Sequence, residues 1–173
     1  EYISTRGAAP AIPSKKAIIK GIAEDNGLYV PSHFPSFGPA PFETREINSY
    51  PGRAVKILKP FLPDYAEAEL NASCRAAYAE NFESPQTAPV KILGDGTAVL
   101  ELWHGPTQAF KDMALQLMPR LLSFALKGER EKYEVVILVA TSGDTGKAAL
   151  EGFADAEGVR IFDQHGKAYL DLV

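Results

Sequence analysis

Val135-Val136-Ile137-Leu138-Val139-Ala140, followed at once by Thr141-Ser142-Gly143-Asp144-Thr145-Gly146-Lys147, decides the fold class of this 173-residue chain. A run of apolar residues without polar alternation predicts a strand buried on both faces of a parallel sheet. The polar stretch after it predicts a tight loop, and Lys147 to about Phe153 predicts the start of a helix. Strand, loop and helix in that order form one unit of an α/β domain. One such unit cannot make a parallel sheet covered on both sides. Beyond Phe153 the sequence offers Val159 to Phe162 and Ala168 to Val173 as strands around an Asp163-Gln164-His165-Gly166 turn. The strand 135–140 is thus expected to lack parallel neighbours, and the chain to be the front part of a larger α/β protein.

Upstream, Thr107 is a good N-cap for a helix with Phe110, Ala114, Leu117, Leu121 and Phe124 on one face. Met113, Met118, Leu122 and Ala125 widen its apolar surface, Pro119 predicts a kink, and Gly128 ends it. The charged residues Glu129 to Glu134 read as a surface turn. Val90 to Leu93, Gly94-Asp95-Gly96 and Thr97 to Trp103 predict a β-hairpin, because Gly-Asp-Gly supplies positive φ. Further back, Asp64-Tyr65-Ala66-Glu67 resembles a capping box. It opens an alanine-rich helix to about Phe82, with Ala66, Leu70, Cys74, Ala77 and Tyr78 on one side. Residues 43–60 suit a short helix with Ile47, Val55, Ile57 and Leu58, then a second segment before Pro60. Four prolines make 31–42 a stiff, irregular loop. Leu28-Tyr29-Val30 is a short strand, and residues 1–13 form an extended arm. Between them Ser14 is the expected N-cap of a helix carrying Ala17, Ile18, Ile19, Ile22 and Ala23. Gly27 is its expected left-handed terminator.

Composition narrows the function classes. Hydrophobic residues are 46% and charged residues 23%, which argues against disorder along the whole length. A net charge of −4 argues against nucleic acid as the main partner, since phosphate neutralisation needs clustered Lys and Arg. No apolar run approaches the ~20 residues that span a bilayer. The chain opens at Glu1 without a basic and apolar leader, so no signal peptide is expected, and a reducing cytoplasm is the default. Cys74, His33, His104 and His165 are dispersed without zinc-ligand spacing, and no metal is expected.

Two segments could carry chemistry. Ser142 to Gly146 leaves the end of a buried strand and opens a helix, where outward N–H groups and the helix dipole favour an anion. Glycine lets a ligand approach the backbone closely. The loop is neither a Walker A sequence nor G-x-G-x-x-G, and an ordinary capped βα turn remains an alternative. Lys111 stands beside Phe110 and Met113, where desolvation would lower its pKa toward values useful for amine chemistry. The competing reading is a surface lysine paired with Asp112. His104 suits a base or a turn residue, Trp103 and Cys74 suit the core, and Lys15-Lys16 suit a solvated helix start.

Four stretches together resemble the threonine synthase family. They are Tyr2-Ile3-Ser4-Thr5-Arg6-Gly7, Asn26-Gly27-Leu28-Tyr29-Val30-Pro31, Leu102-Trp103-His104-Gly105-Pro106-Thr107-Gln108-Ala109-Phe110-Lys111-Asp112, and Ala140 to Ala149. They occur in the family's order, and the likeness covers residues 1 to about 160. The resemblance implies the N-terminal part of a fold-type-II pyridoxal-phosphate enzyme, tryptophan synthase β-like. It divides into a small α+β domain over 1–88, the start of the parallel-sheet catalytic domain over 89–161, and a tail of unclear origin over 162–173. It further implies conversion of O-phospho-L-homoserine and water to L-threonine and phosphate. Lys111 matches the lysine that joins pyridoxal 5'-phosphate. Ser142, Gly143, Asp144 and Thr145 match the loop that faces the cofactor and the substrate carboxylate. The family's glycine-rich clamp for the cofactor phosphate and its partner for the ring nitrogen fall outside these residues. Another fold-type-II lyase, such as a threonine dehydratase or cysteine synthase, is an alternative. So is a non-catalytic, threonine-synthase-like fragment that binds a phosphorylated small molecule at the Asp144 loop.

Overall fold

The structure is a computed structural model that describes residues 1–38, 49–127, 135–141, 143–154 and 156–169. Strand β1 (Tyr2–Ser4) pairs antiparallel with β2 (Tyr29–Pro31), with Ile3 opposite Val30. Helix α1 (Ser14–Lys20) lies between them and stops earlier than expected. Gly21, at φ 69°, is its left-handed terminator. Ile22 and Ala23 therefore lie beyond the helix, and Ile22 bridges to Leu28. Gly27 has a different role: a Cβ there would run into the Ser4 hydroxyl. Pro13 takes the N-cap position, and Ser14, as the first helical residue, donates its hydroxyl to Asp64.

Residues 50–61 form one helix, α2 (Tyr50–Phe61), rather than a short helix and a second segment. Ser49 caps it by accepting from the Gly52 N–H at 3.2 Å. Pro51 falls in the first turn, where its missing N–H is not needed. Residues 43–48, including Ile47, lie outside the described residues. Helix α3 (Glu67–Tyr78) ends four residues short of Phe82. Ala66 has no side-chain acceptor, so only half of the capping box forms: the Ala66 N–H donates to Glu69 at 2.9 Å. Leu70, Cys74, Ala77 and Tyr78 are buried as expected, whereas Ala66 is exposed at the cap. The hairpin forms with β3 (Val90–Ile92) and β4 (Ala98–Leu100), and Gly96 takes φ 84° in its turn.

The helix expected after Thr107 is two helices. Helix α4 (Asp112–Leu115) ends at Gln116, and α5 (Met118–Leu126) begins two residues on. Pro119 explains the break. Without an N–H it cannot bond the carbonyl four residues back, so it sits in the first turn of a new helix. Phe110 precedes both helices and is exposed, not buried. Gly128 and the 129–134 turn lie outside the described residues.

Strand β5 (Val135–Val139), helix α6 (Asp144–Phe153), β6 (Val159–Asp163) and β7 (Ala168–Tyr169) complete the chain. β5 does have a parallel neighbour: it pairs with β6, Ile137 opposite Ile161. β7 pairs antiparallel with β6 across a turn where Gly166 takes φ 74°. Residues 170–173 lie outside the described residues. β5 is not buried on both faces, because Leu138 is 77% exposed and Val136 is 47% exposed. The opposite face packs on α5 and α6.

Helix α5 belongs to two cores. Leu121 and Ala125, with Leu117 at the helix N-cap, join Val55, Tyr65, Leu70 and Tyr78 of the helical part. Leu122 and Leu126 join Val139, Phe153 and Ile161 of the sheet part. The Tyr65 hydroxyl donates to the Leu121 carbonyl at 2.9 Å, tying α5 to the segment before α3. Cys74 is buried, and burial pushes its thiol up to about 11, as suits a core residue and not a thiolate. No helix among the described residues is long and apolar enough to cross a membrane.

Asp25 organises the N-terminal arm. Its carboxylate accepts from the Ser4 hydroxyl at 2.6 Å and from the N–H groups of Gly27, Ala8 and Ala9. The Ser4 bond above all, with those backbone donors, outweighs burial and holds the carboxyl low, at about 2. A depressed carboxylate stabilises the fold above its unfolded value, and that contribution is lost as pH falls through the folded value. The Ala8 and Ala9 amide resonances should therefore titrate with a midpoint at about 2. A midpoint near the ordinary Asp value of about 3.9 would show that these bonds do not hold the carboxylate.

Candidate active site

Residues 103–112 form a folded loop ahead of α4, closed by a buried carboxyl. Asp112 is fully buried, and both its oxygens have donors on one residue. The Thr107 N–H donates to Oδ2 at 2.9 Å and the Thr107 hydroxyl to Oδ1 at 2.7 Å. Gly105 lies against the same carboxyl, where a Cβ would come within 2.5 Å of Oδ2. Gln108 takes φ 55° as the chain turns toward α4. Thr107 is thus not a helix N-cap. That position falls to Lys111.

Lys111 is half-buried, with its Nζ 4.7 Å from the centre of the Phe110 ring. It does not pair with Asp112, whose oxygens face Thr107. Among the described residues, no ion pair involves Lys111. Its setting is less enclosed than the sequence suggested, because the adjacent Phe110 is 56% exposed.

The second segment is the start of α6. Gly143 occupies the N-cap in extended conformation, and no side chain caps the helix. Its carbonyl accepts from the Gly146 and Lys147 N–H groups. The N–H groups of Asp144 and Thr145 have no acceptor within the helix, as at any helix start. Gly143, Asp144 and Thr145 are exposed, and Ser142 lies outside the described residues. A Cβ on Gly143 would meet open space, whereas one on Gly146 would come within 2.7 Å of the Thr141 side chain. The loop is therefore held tight against the strand end at Gly146 and left open at Gly143.

Two contacts bring the segments together. The Lys147 Nζ donates to the Thr107 carbonyl at 2.8 Å. Further along, Gly152 of α6 meets the Leu115 carbonyl of α4 so closely that a Cβ would overlap it. Leu115 is also the residue whose carbonyl Pro119 leaves without a helical donor. The residues that frame the amine are thus bonded to the helix that carries the loop.

His104 bonds Glu101 through Nε2 at 2.8 Å, which makes it a turn residue of the loop. Trp103, expected in the core, is 49% exposed beside it. Lys16 is solvated as expected, but Lys15 is half-buried and pairs with Glu69 at 2.8 Å. The described residues contain no cluster of His, Cys, Asp and Glu able to hold a metal. Sequence reading missed the Thr107–Asp112 clamp and the Lys147 bond. The available signal was Asp112 itself, an acidic residue set between Ala109 and Gln116 on a face that is otherwise buried.

This chain superposes on the pyridoxal-phosphate-bound threonine synthase of Brucella melitensis with a TM-score of 0.86 at 37% identity, over 94% of this chain and 34% of that one. The fold is that of the N-terminal part of a fold-type-II pyridoxal-phosphate enzyme. The family model described as Threonine synthase N terminus matches residues 1–78. The chain is 43% identical over 172 residues to a threonine synthase of Pseudomonas aeruginosa, covering 95% of this chain and 34% of that protein. It is 37% identical over 169 residues to a threonine synthase of Schizosaccharomyces pombe, covering 93% of this chain and 33% of that protein. The chain is similar in sequence and in fold to the N-terminal part of threonine synthases. It spans about a third of the length of the curated relatives it matches.

Two glycines separate folding from binding. Gly105→Ala drives a Cβ into the buried Asp112 carboxyl and should lower stability by about 1–3 kcal/mol in urea unfolding. At Gly143 a Cβ meets nothing within 4 Å, and Asn is a good N-cap, so Gly143→Asn should stay within about 0.5 kcal/mol of the parent, while its side chain blocks close ligand approach to the loop. Equal stability losses in the two variants would contradict this geometry.

Proposed function

We infer that this chain is the N-terminal part of an enzyme that converts O-phospho-L-homoserine and water to L-threonine and phosphate. The observation that carries the reading is the Lys147–Thr107 bond, which joins the Lys111 loop to the open start of α6. The kinship with threonine synthases supports it. We extend the reading to a division at residue 88 between an N-terminal domain and the catalytic domain over 89–161, with 162–173 as a tail. We also extend it to a cytoplasmic setting, where the buried free thiol of Cys74 would stay reduced.

The residues fit pyridoxal 5'-phosphate. Lys111 offers an amine without a carboxylate partner among the described residues, and α6 offers N–H donors that no side chain caps. When bound, the cofactor supplies a ring that takes up the electron pair left at the substrate's Cα. Lys111 would hold it through its Nζ and, once displaced by the substrate amine, carry protons to and from Cα and the neighbouring carbons. Ser142, Gly143 and Thr145 would receive the substrate carboxylate, Gly143 by leaving the backbone bare for close approach. Asp144 would set a polar group against the cofactor's phenolic oxygen. Phosphate leaves from Cγ and a water oxygen enters at Cβ, so the atoms of substrate and water are all found in threonine and phosphate.

Borohydride reduction of the full-length protein with pyridoxal phosphate, followed by peptide mapping, should find the pyridoxyl group on Lys111. Lys111→Ala should slow phosphate release by a factor on the order of 10²–10⁴. A label on Lys147 instead, or undiminished release from the Lys111 variant, would overturn the assignment.

A further inference from the structure

The cavity between α1 and the end of α5 holds no residue of the candidate active site. Its volume is about 640 Å³, a size ordinary for small-molecule sites. Pro13, Ile19 and Ala125 give it an apolar floor, and Lys15, Lys16, Lys20 and Lys127 surround that floor. Lysine covers apolar surface with its aliphatic stem while its ammonium group stays in water, which suits the four that line this cavity.

The charges of this rim are unequally matched. Asp64 is the one acidic residue of the lining, and it already accepts from the Ser14 hydroxyl and, at 2.8 Å, from the Lys15 N–H. Lys15 pairs with Glu69 at 2.8 Å and Lys20 with Glu24 at 2.5 Å. Among the described residues, Lys16 and Lys127 have no ion-pair partner. Lys127 lies 4.0 Å from the centre of the Phe124 ring. Lys16, on α1, and Lys127, the residue that follows α5, thus each bring an ammonium with no carboxylate in salt-bridge contact, Glu69 acting on Lys127 only from further off.

This combination selects a kind of ligand. A metal cation would be repelled by the rim. A neutral apolar molecule would desolvate the ammonium groups without replacing their water. A small inorganic anion would meet the ammonium groups and leave the apolar floor wet. We propose that the cavity binds an organic phosphate, with the dianionic group between Lys16 and Lys127 and an apolar body on Ile19 and Ala125. Lysine serves such a group as a point charge, and burial of the body adds what inorganic phosphate lacks. The proposal does not depend on the reaction assigned to Lys111.

Hexyl phosphate, inorganic phosphate and hexanol, titrated into the full chain and followed by amide NMR shifts, test this. Hexyl phosphate should bind saturably, perturb α1 and the end of α5, and exceed inorganic phosphate by about tenfold or more in affinity. Hexanol should not bind, and added salt should weaken the hexyl phosphate complex. The double variant Lys16→Gln, Lys127→Gln should keep the parent's melting temperature and bind hexyl phosphate about tenfold or more weakly. Equal affinity for the two phosphates, equal affinity in parent and variant, or shifts confined to residues 143–145 would overturn the proposal.

Discussion

A carboxyl group buried without water must find donors inside the protein. Asp112 finds both on Thr107, and the geometry of the candidate site follows from that choice. The two bonds fold residues 107–112 into a closed loop, and Gly105 is the residue that leaves room for it. With its carboxyl turned inward, Asp112 is not available to the neighbouring Lys111. The amine therefore remains at the rim, leaning on Phe110. Thr107 also accepts through its carbonyl from Lys147, so the same residue orders the amine loop and anchors the helix that carries Asp144 and Thr145.

The clamp works because α4, α5 and α6 give it a fixed frame. Pro119 breaks what would have been one long helix, and the short α4 turns Asp112 into the interior while α5 runs on between the two cores. The break frees the Leu115 carbonyl, against which Gly152 lets α6 pack without a side chain between them. A long uninterrupted helix would keep that carbonyl bonded and alter how α6 approaches. Proline and glycine thus act at two distant positions in sequence on a single contact in space.

Much of this was legible in the sequence because it rests on local signals. The hairpin followed from Gly-Asp-Gly, the strand–loop–helix order of β5 and α6 from the polar run after an apolar strand, although α6 begins at Asp144 inside the stretch read as loop and not at Lys147, and the buried face of α3 from its spacing. The failures have physical causes of their own. Gly21 follows Lys20 and Gly27 follows Asn26, both polar, and a sequence does not tell which glycine terminates a helix and which admits a neighbouring hydroxyl. The strand 135–139 reads as buried on both faces, yet Val136 and Leu138 are bare in this chain, which spans about a third of the length of its relatives. The Thr107–Asp112 clamp joins residues of opposite character across a turn. Periodicity, which records only which face is apolar, is blind to such a pair.

The central claim is that the Thr107–Asp112 hydrogen bonds hold the loop that presents Lys111. A double-mutant cycle on stability, with Thr107→Val, Asp112→Ala and the pair, tests it most directly. A buried bond between these side chains should appear as a coupling of about 1–3 kcal/mol, with the double variant less destabilised than the sum of the single ones. Strict additivity would contradict the account and leave the placement of Lys111 without its physical cause.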